Sequence, residues 1–153
     1  MTRSEVREHI FKLVFRLEFN DAEEMPGQLK NYFLDNGEEN LDIKDSKENA
    51  PVNIFSHKDE EYIKNKYSDI EKSIPELDTL INSYAKGWDT VRMGKVDLAI
   101  LRLAVYEVVY DDSIPTGVAI DEAVELAKKY GQDESASFIN GILASVVKGI
   151  SKQ

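Results

Sequence analysis

The 153 residues carry 29 acidic and 19 basic side chains, are 42% apolar and contain no cysteine, enough chain for one domain or two small halves sharing a core. The lack of cysteine excludes a disulfide framework, Cys-ligated zinc, an iron–sulfur cluster and a thiol nucleophile. A net charge of −10 argues against broad, sequence-blind binding to nucleic acid, and the length leaves no room for a nucleotide-binding domain beside a separate catalytic one.

Residues 4–19 read as an amphipathic helix, with Val6, Ile10, Leu13, Val14 and Leu17 on one face and Ser4 as N-cap. Asp21 to Leu34 reads as a shorter helix, begun or interrupted near Pro26-Gly27. Residues 35–56, with DNGEEN, LDIKDSKEN and Pro51, read as an exposed acidic loop. Helical spacing resumes at His57, with Tyr62, Ile63, Tyr67 and Ile70 as its stripe, and ends near Ser73. Pro75 suits the first turn of the next helix, whose Leu77, Leu80, Ile81, Tyr84 and Trp88 keep helical phase. Gly87 and Gly94 bracket a connection. VDLAILRLAVYEVVY, from Val96 to Tyr110, is apolar on most of its circumference and should be the central helix. Its end is β-rich in composition, but the upstream LAILRLA continues the helical phase. Val118–Lys129 forms a sixth helix stopped by Gly131, and about Asp133 to Ile150 a seventh, with Phe138, Ile139, Ile142, Leu143, Val146, Val147 and Ile150 on one face. No segment alternates as a strand does. The expectation is an all-α fold of about seven helices.

The charge is unevenly spread. Residues 1–20 sum to +1, residues 21–79 to −9 and residues 80–153 to −2, so both ends remain able to build a local basic surface. An acidic middle either favours a basic protein partner or simply keeps the protein soluble. The start, MTRSEVREHIFKLVF, lacks a secretory leader's apolar core, and no run nears the ~20 apolar residues of a membrane span. A soluble, cytoplasmic protein is expected.

Catalytic chemistry finds little footing. His9 and His57 are isolated, and Glu122 and Glu125 stand three apart on one helix without a histidine partner. There is no Gly-rich phosphate loop, GxSxG or HExxH. No catalytic residue, metal ligand or cofactor is expected. The residues that rise above background lie late in the chain. Arg102 interrupts an apolar helix and must reach the surface, meet a carboxylate or contact a phosphate, because an unpaired buried charge costs several kcal/mol. Gly141 costs about 1 kcal/mol relative to alanine inside a helix, which close approach of a neighbouring helix would offset. Asn140 reads as a cross-helix hydrogen-bonding residue or a ligand contact. Phe138 is a core residue or, in the first turns of its helix, a ring able to stack on a base.

ILRLAVYE (Ile100–Glu107), IPTGVAIDEAVELAKKYG (Ile114–Gly131) and SFINGIL (Ser137–Leu143) together resemble the family of the transcription antitermination factor NusB. Trp88-x3-Arg92 and the Arg3-x3-Arg7-Glu8 start fit it in order and spacing. The resemblance implies a compact helical bundle of two subdomains, here 1–74, carrying the long acidic insertion at 35–56, and 75–153. It implies a non-enzymatic protein that joins the ribosomal protein NusE, binds boxA RNA and helps RNA polymerase, in its antitermination complex, read through terminators, notably in ribosomal RNA operons. Some members form homodimers. By carry-over, Arg3 and Arg7 would contact phosphates, Lys12 and Phe15 would extend that helix, and Arg102 and Phe138 would supply a cation and a stacking ring. Glu134 and Asn140 would shape the same surface. Only two arginines precede residue 8, and Asp121 stands where asparagine is common. The sparse arginines imply that a basic partner supplies much of the attraction for RNA. The alternative is a protein-interaction module of the same fold with little RNA selectivity.

Overall fold

The computed structural model describes residues 1–38 and 54–151. Among them the chain forms seven helices and no strand: α1 Arg3–Arg16, α2 Met25–Glu38, α3 His57–Lys72, α4 Ile74–Tyr84, α5 Lys95–Tyr110, α6 Thr116–Tyr130 and α7 Ser135–Ser151. The all-α expectation holds. Two compact units, Met1–Ser68 and Asp69–Gln153, divide inside α3, where the sequence had placed the division at 74/75. None of the described helices is long and apolar enough to cross a membrane.

In the first unit α1 buries Val6, Ile10, Phe11, Leu13 and Val14. Its N-cap is Thr2, not Ser4, because the Thr2 hydroxyl accepts from the Glu5 amide at 3.1 Å. It also ends at Arg16, three residues early. The Asn20 side-chain amide donates to the Arg16 carbonyl at 2.9 Å, while Leu17, Glu18 and Phe19 tighten into turns. Asp21 and Glu24 then form a reciprocal capping box: the Glu24 amide donates to Asp21 Oδ1 at 2.9 Å, and the Asp21 amide to Glu24 Oε1 at 3.1 Å. The turn it holds leads into α2, so Pro26 lies in the first turn and begins the helix rather than interrupting it. The helix runs to Glu38, four residues into the expected loop, and residues 39–53 of that loop lie outside the described ones. Tyr32, 2% exposed, ties the two helices together. Its hydroxyl pairs with His9 Nδ1, the Arg16 guanidinium lies 5.0 Å from its ring centroid, and Arg16 also donates to Gln28 Oε1 at 3.0 Å. Phe55 closes the cluster, edge-on to Phe33 and His9 at 4.9 and 4.8 Å.

In the second unit α5 is the hub, packed against α4, α6 and α7. Every residue from Leu98 to Val105 is buried, and each Leu or Ile so removed from water contributes ~1.5–3 kcal/mol. The helical reading of VYEVVY is correct. Helix α4 stops at Tyr84, so Trp88 leaves the helical phase the spacing had given it and sits in the following turn. That turn depends on Gly87, whose φ of +82° suits a residue without Cβ. Tyr62 is likewise exposed rather than part of the buried stripe of α3, whereas Ile63, Tyr67 and Ile70 are fully buried. Two glycines exchange the roles expected of them. Gly131 stops α6 without a left-handed conformation. It is required because a Cβ there would lie 2.6 Å from the Ser135 Cβ and 2.8 Å from the Ala127 carbonyl oxygen. Gly141 instead faces open space, with nothing within 4 Å of a Cβ built on it, so the close helix approach expected there is absent.

Candidate nucleic-acid interface

Four of the candidate RNA residues lie on α1, in the first unit. Arg3 is exposed beside the cap, at the amino-terminal turn. Lys12 keeps 40% of its side chain in water and sits 3.8 Å from Glu8, one turn back. Phe15 is half-buried and begins an aromatic run, with Phe11 at 6.4 Å and the exposed Phe19 edge-on at 5.1 Å. Arg7 is different: only 6% of it is exposed, so a phosphate does not reach it in this conformation.

The other four lie in the second unit and do not form one cluster. Arg102 takes the ion-pair alternative. Its Nε donates to Asp78 Oδ1 at 2.9 Å and its Nη2 to Asp78 Oδ2 at 2.8 Å, a bidentate clamp from α5 to α4 with the arginine side chain 9% exposed. Asn140 is exposed on α7 and lines a shallow groove with Asp121, Glu125, Lys128 and Ser137. It makes no cross-helix hydrogen bond among the described residues.

Glu134 and Phe138 do share a site. They line an open cleft of about 410 Å³ with Trp88, Lys95, Asp97 and Tyr130. The α6–α7 corner shapes one wall: the Gln132 amide donates to Ser135 Oγ at 2.9 Å, and the Ser135 amide returns to the Gln132 carbonyl at 3.0 Å. The α4–α5 turn shapes the other, held to α4 by the Thr90 amide donating to Asn82 Oδ1 at 2.8 Å. Trp88, half exposed, meets the Phe138 ring at 5.9 Å with the planes 75° apart. Arg92 and Lys129 lie near ring faces of this region, 5.9 Å from the Trp88 centroid and 5.4 Å from that of Tyr130. Rings in water with cations beside them are what unpaired bases and their phosphates require. Reading the sequence singled out Phe138 and Glu134 here but not Trp88, Lys95 or Asp97. The signal available was Trp88-x3-Arg92 between two glycines, which carried the family likeness but no role. No group of three or more His, Asp or Glu residues able to hold a metal occurs among the described residues.

An all-helical scaffold that keeps rings and cations at its surface, with no metal centre among the described residues, is of the class that binds unpaired nucleic acid rather than transforming a small substrate. The model of the NusB family matches residues 4–148, and the chain belongs to that family. It is 46% identical to the transcription antitermination protein NusB of Agathobacter rectalis, over 94% of this chain and 98% of that one. Its fold is similar to that of T. maritima NusB, with a TM-score of 0.78 at 31% identity over 97% of this chain and 92% of the other. It also shares the fold of a chain in the crystal structure of antitermination factors NusB and NusE with double-stranded RNA, with a TM-score of 0.73 at 24% identity, covering 97% and 99%.

Proposed function

We propose that this protein is an RNA-binding transcription antitermination factor that joins the ribosomal protein NusE on boxA-like single-stranded RNA and helps RNA polymerase read through terminators in the cytoplasm. The role is one of binding, not catalysis. The observation that carries this reading is the family match along residues 4–148. The geometry adds exposed cations on α1 and a cleft with ring walls in the second unit.

In this reading Arg3 and Lys12 supply phosphate contacts, Phe15 and Phe138 supply rings, and Glu134 and Asn140 shape the surface around them. Arg7 and Arg102, both buried, stand outside the proposed contact set. Titrating fluorescently labelled boxA-like RNA with the protein, alone and with NusE, tests the proposal by anisotropy. Affinity should rise when NusE is present, and Arg3→Ala should weaken binding. If NusE binds the protein without improving RNA affinity, and RNA sequence makes no difference, the protein is an interaction module instead.

A further inference from the structure

Trp88 is 50% exposed, an unusual place for the largest aromatic side chain, and nothing in the core of the second unit uses it. The turn that carries it is nevertheless well fixed. Gly87 provides the positive φ, the Trp88 amide donates to the Ala85 carbonyl at 2.7 Å, and the Arg92 amide donates to Asp89 Oδ1 at 3.0 Å. A fixed turn holding a wet ring loses little freedom when a ligand arrives. The ring stands 75° from the Phe138 plane at 5.9 Å, so the two make a corner: a flat ligand lying on one ring meets the other at its edge. Arg92, beside the indole, and Lys95, on the cleft wall, supply positive charge for a sugar-phosphate backbone.

The carboxylates in the same cleft sharpen this. Asp97 and Glu134 line it, and neither has a side-chain hydrogen bond or ion pair among the described residues. A carboxylate only accepts hydrogen bonds. It therefore favours a base edge that donates through an exocyclic amino group, as cytosine and adenine do, and disfavours the carbonyl that uracil presents in its place.

We infer that Trp88 is an RNA-contacting residue, and that with Phe138 it seats one unstacked base whose exocyclic amino group is read by Asp97. The inference rests on the RNA-binding reading above and deepens it.

Trp88 is the only tryptophan of the chain, so its emission reports on the cleft directly. Short oligocytidylate and oligouridylate of equal length are titrated into the full chain, following both tryptophan emission and anisotropy of an end-labelled copy. The emission should change with the same midpoint as the anisotropy. Trp88→Ala should weaken binding about tenfold or more, in line with the loss of one stacked base, and Trp88→Phe should retain most of the affinity. Cytidylate should bind more tightly than uridylate, with the gap closing in Asp97→Asn. If RNA binds by anisotropy while the emission stays constant and Trp88→Ala keeps wild-type affinity, the base seat is wrong and the RNA-binding reading stands. Emission that answers to NusE and not to RNA gives the cleft to the protein partner and overturns the seat. No RNA binding by any probe, boxA-like RNA included, with or without NusE, overturns both.

Discussion

Arg102 and Asp78 show how a single charged pair fixes a helix that otherwise repels charge. The guanidinium lies in the most apolar stretch of the chain, and the two parallel hydrogen bonds to Asp78 are what make its burial tolerable. Removing one partner is therefore worse than removing both. Asp78→Ala should destabilise the protein by about 3 kcal/mol, the lower end for a broken buried pair because Asp78 keeps 22% of its side chain in water. Arg102→Met with Asp78→Leu should recover much of that loss, as urea unfolding would measure; equal losses in the single and double variants would refute the account. The two glycines make a matched contrast. Gly141→Ala adds a methyl to open space inside a helix and should stabilise by about 0.5–1 kcal/mol. Gly131→Ala drives a methyl into Ser135 and the Ala127 carbonyl and should cost about 1–3 kcal/mol. Thermal unfolding separates the two by sign. Sequence alone ranked Gly141 as the packed glycine because helix phase shows that a residue is interior to a helix, not what faces it. The carboxylate expected near Arg102 was legible from the cost of an unpaired charge. Its identity was not, because the partner lies 24 residues away and only the α4–α5 packing brings it close.

Among the helices, what was legible followed from period and composition, and what was missed followed from side chains competing for backbone groups. The buried faces of α1, α5 and α7 stand almost as the spacing implies, with Val6, Ile10, Leu13 and Val14 inside on α1 and Ile139, Ile142, Leu143 and Val146 inside on α7. The ends moved. Thr2 and Asn20 set the limits of α1, and the Asp21–Glu24 box opens the path to α2, a D-x-x-E pattern present in the sequence but hidden by attention to Pro26-Gly27. Trp88 kept its helical spacing beyond α4, yet the positive φ of Gly87 had already turned the chain; that error hid the ring of the cleft. The cap has a measurable consequence. Thr2→Ala leaves the Glu5 amide without its acceptor and should cost about 1 kcal/mol. The loss is local to the first turn of α1, which carries Arg3. Amide exchange should therefore quicken in residues 4–6 while the amides around Ile10 and Leu13 stay protected, and uniform loss of protection along α1 would show that the cap does not act locally.

Over the whole molecule, a net charge of −10 has to coexist with binding to a polyanion. Two physical facts reconcile them. At physiological salt charges more than about 8 Å apart are largely screened, so a contacted phosphate responds to Arg3 or Lys12 far more than to distant carboxylates. The acidic excess lies mainly in residues 21–79, at −9, and leaves the first 20 residues at +1. Few cations in contact mean few counterions released. The protein alone should therefore show a shallow salt dependence, with log affinity changing by about 0.7 per phosphate contact for each decade of salt. Arg3→Ala and Lys12→Ala should each flatten that slope by about the same 0.7. A basic NusE adds its own cations to the same RNA, so the slope of the pair should be steeper than that of the chain alone. Measuring RNA affinity at several potassium chloride concentrations, with and without NusE, checks all three slopes. If the pair and the free chain give equal slopes while NusE still tightens binding, the partner acts by ordering the RNA surface and not by lending it charge.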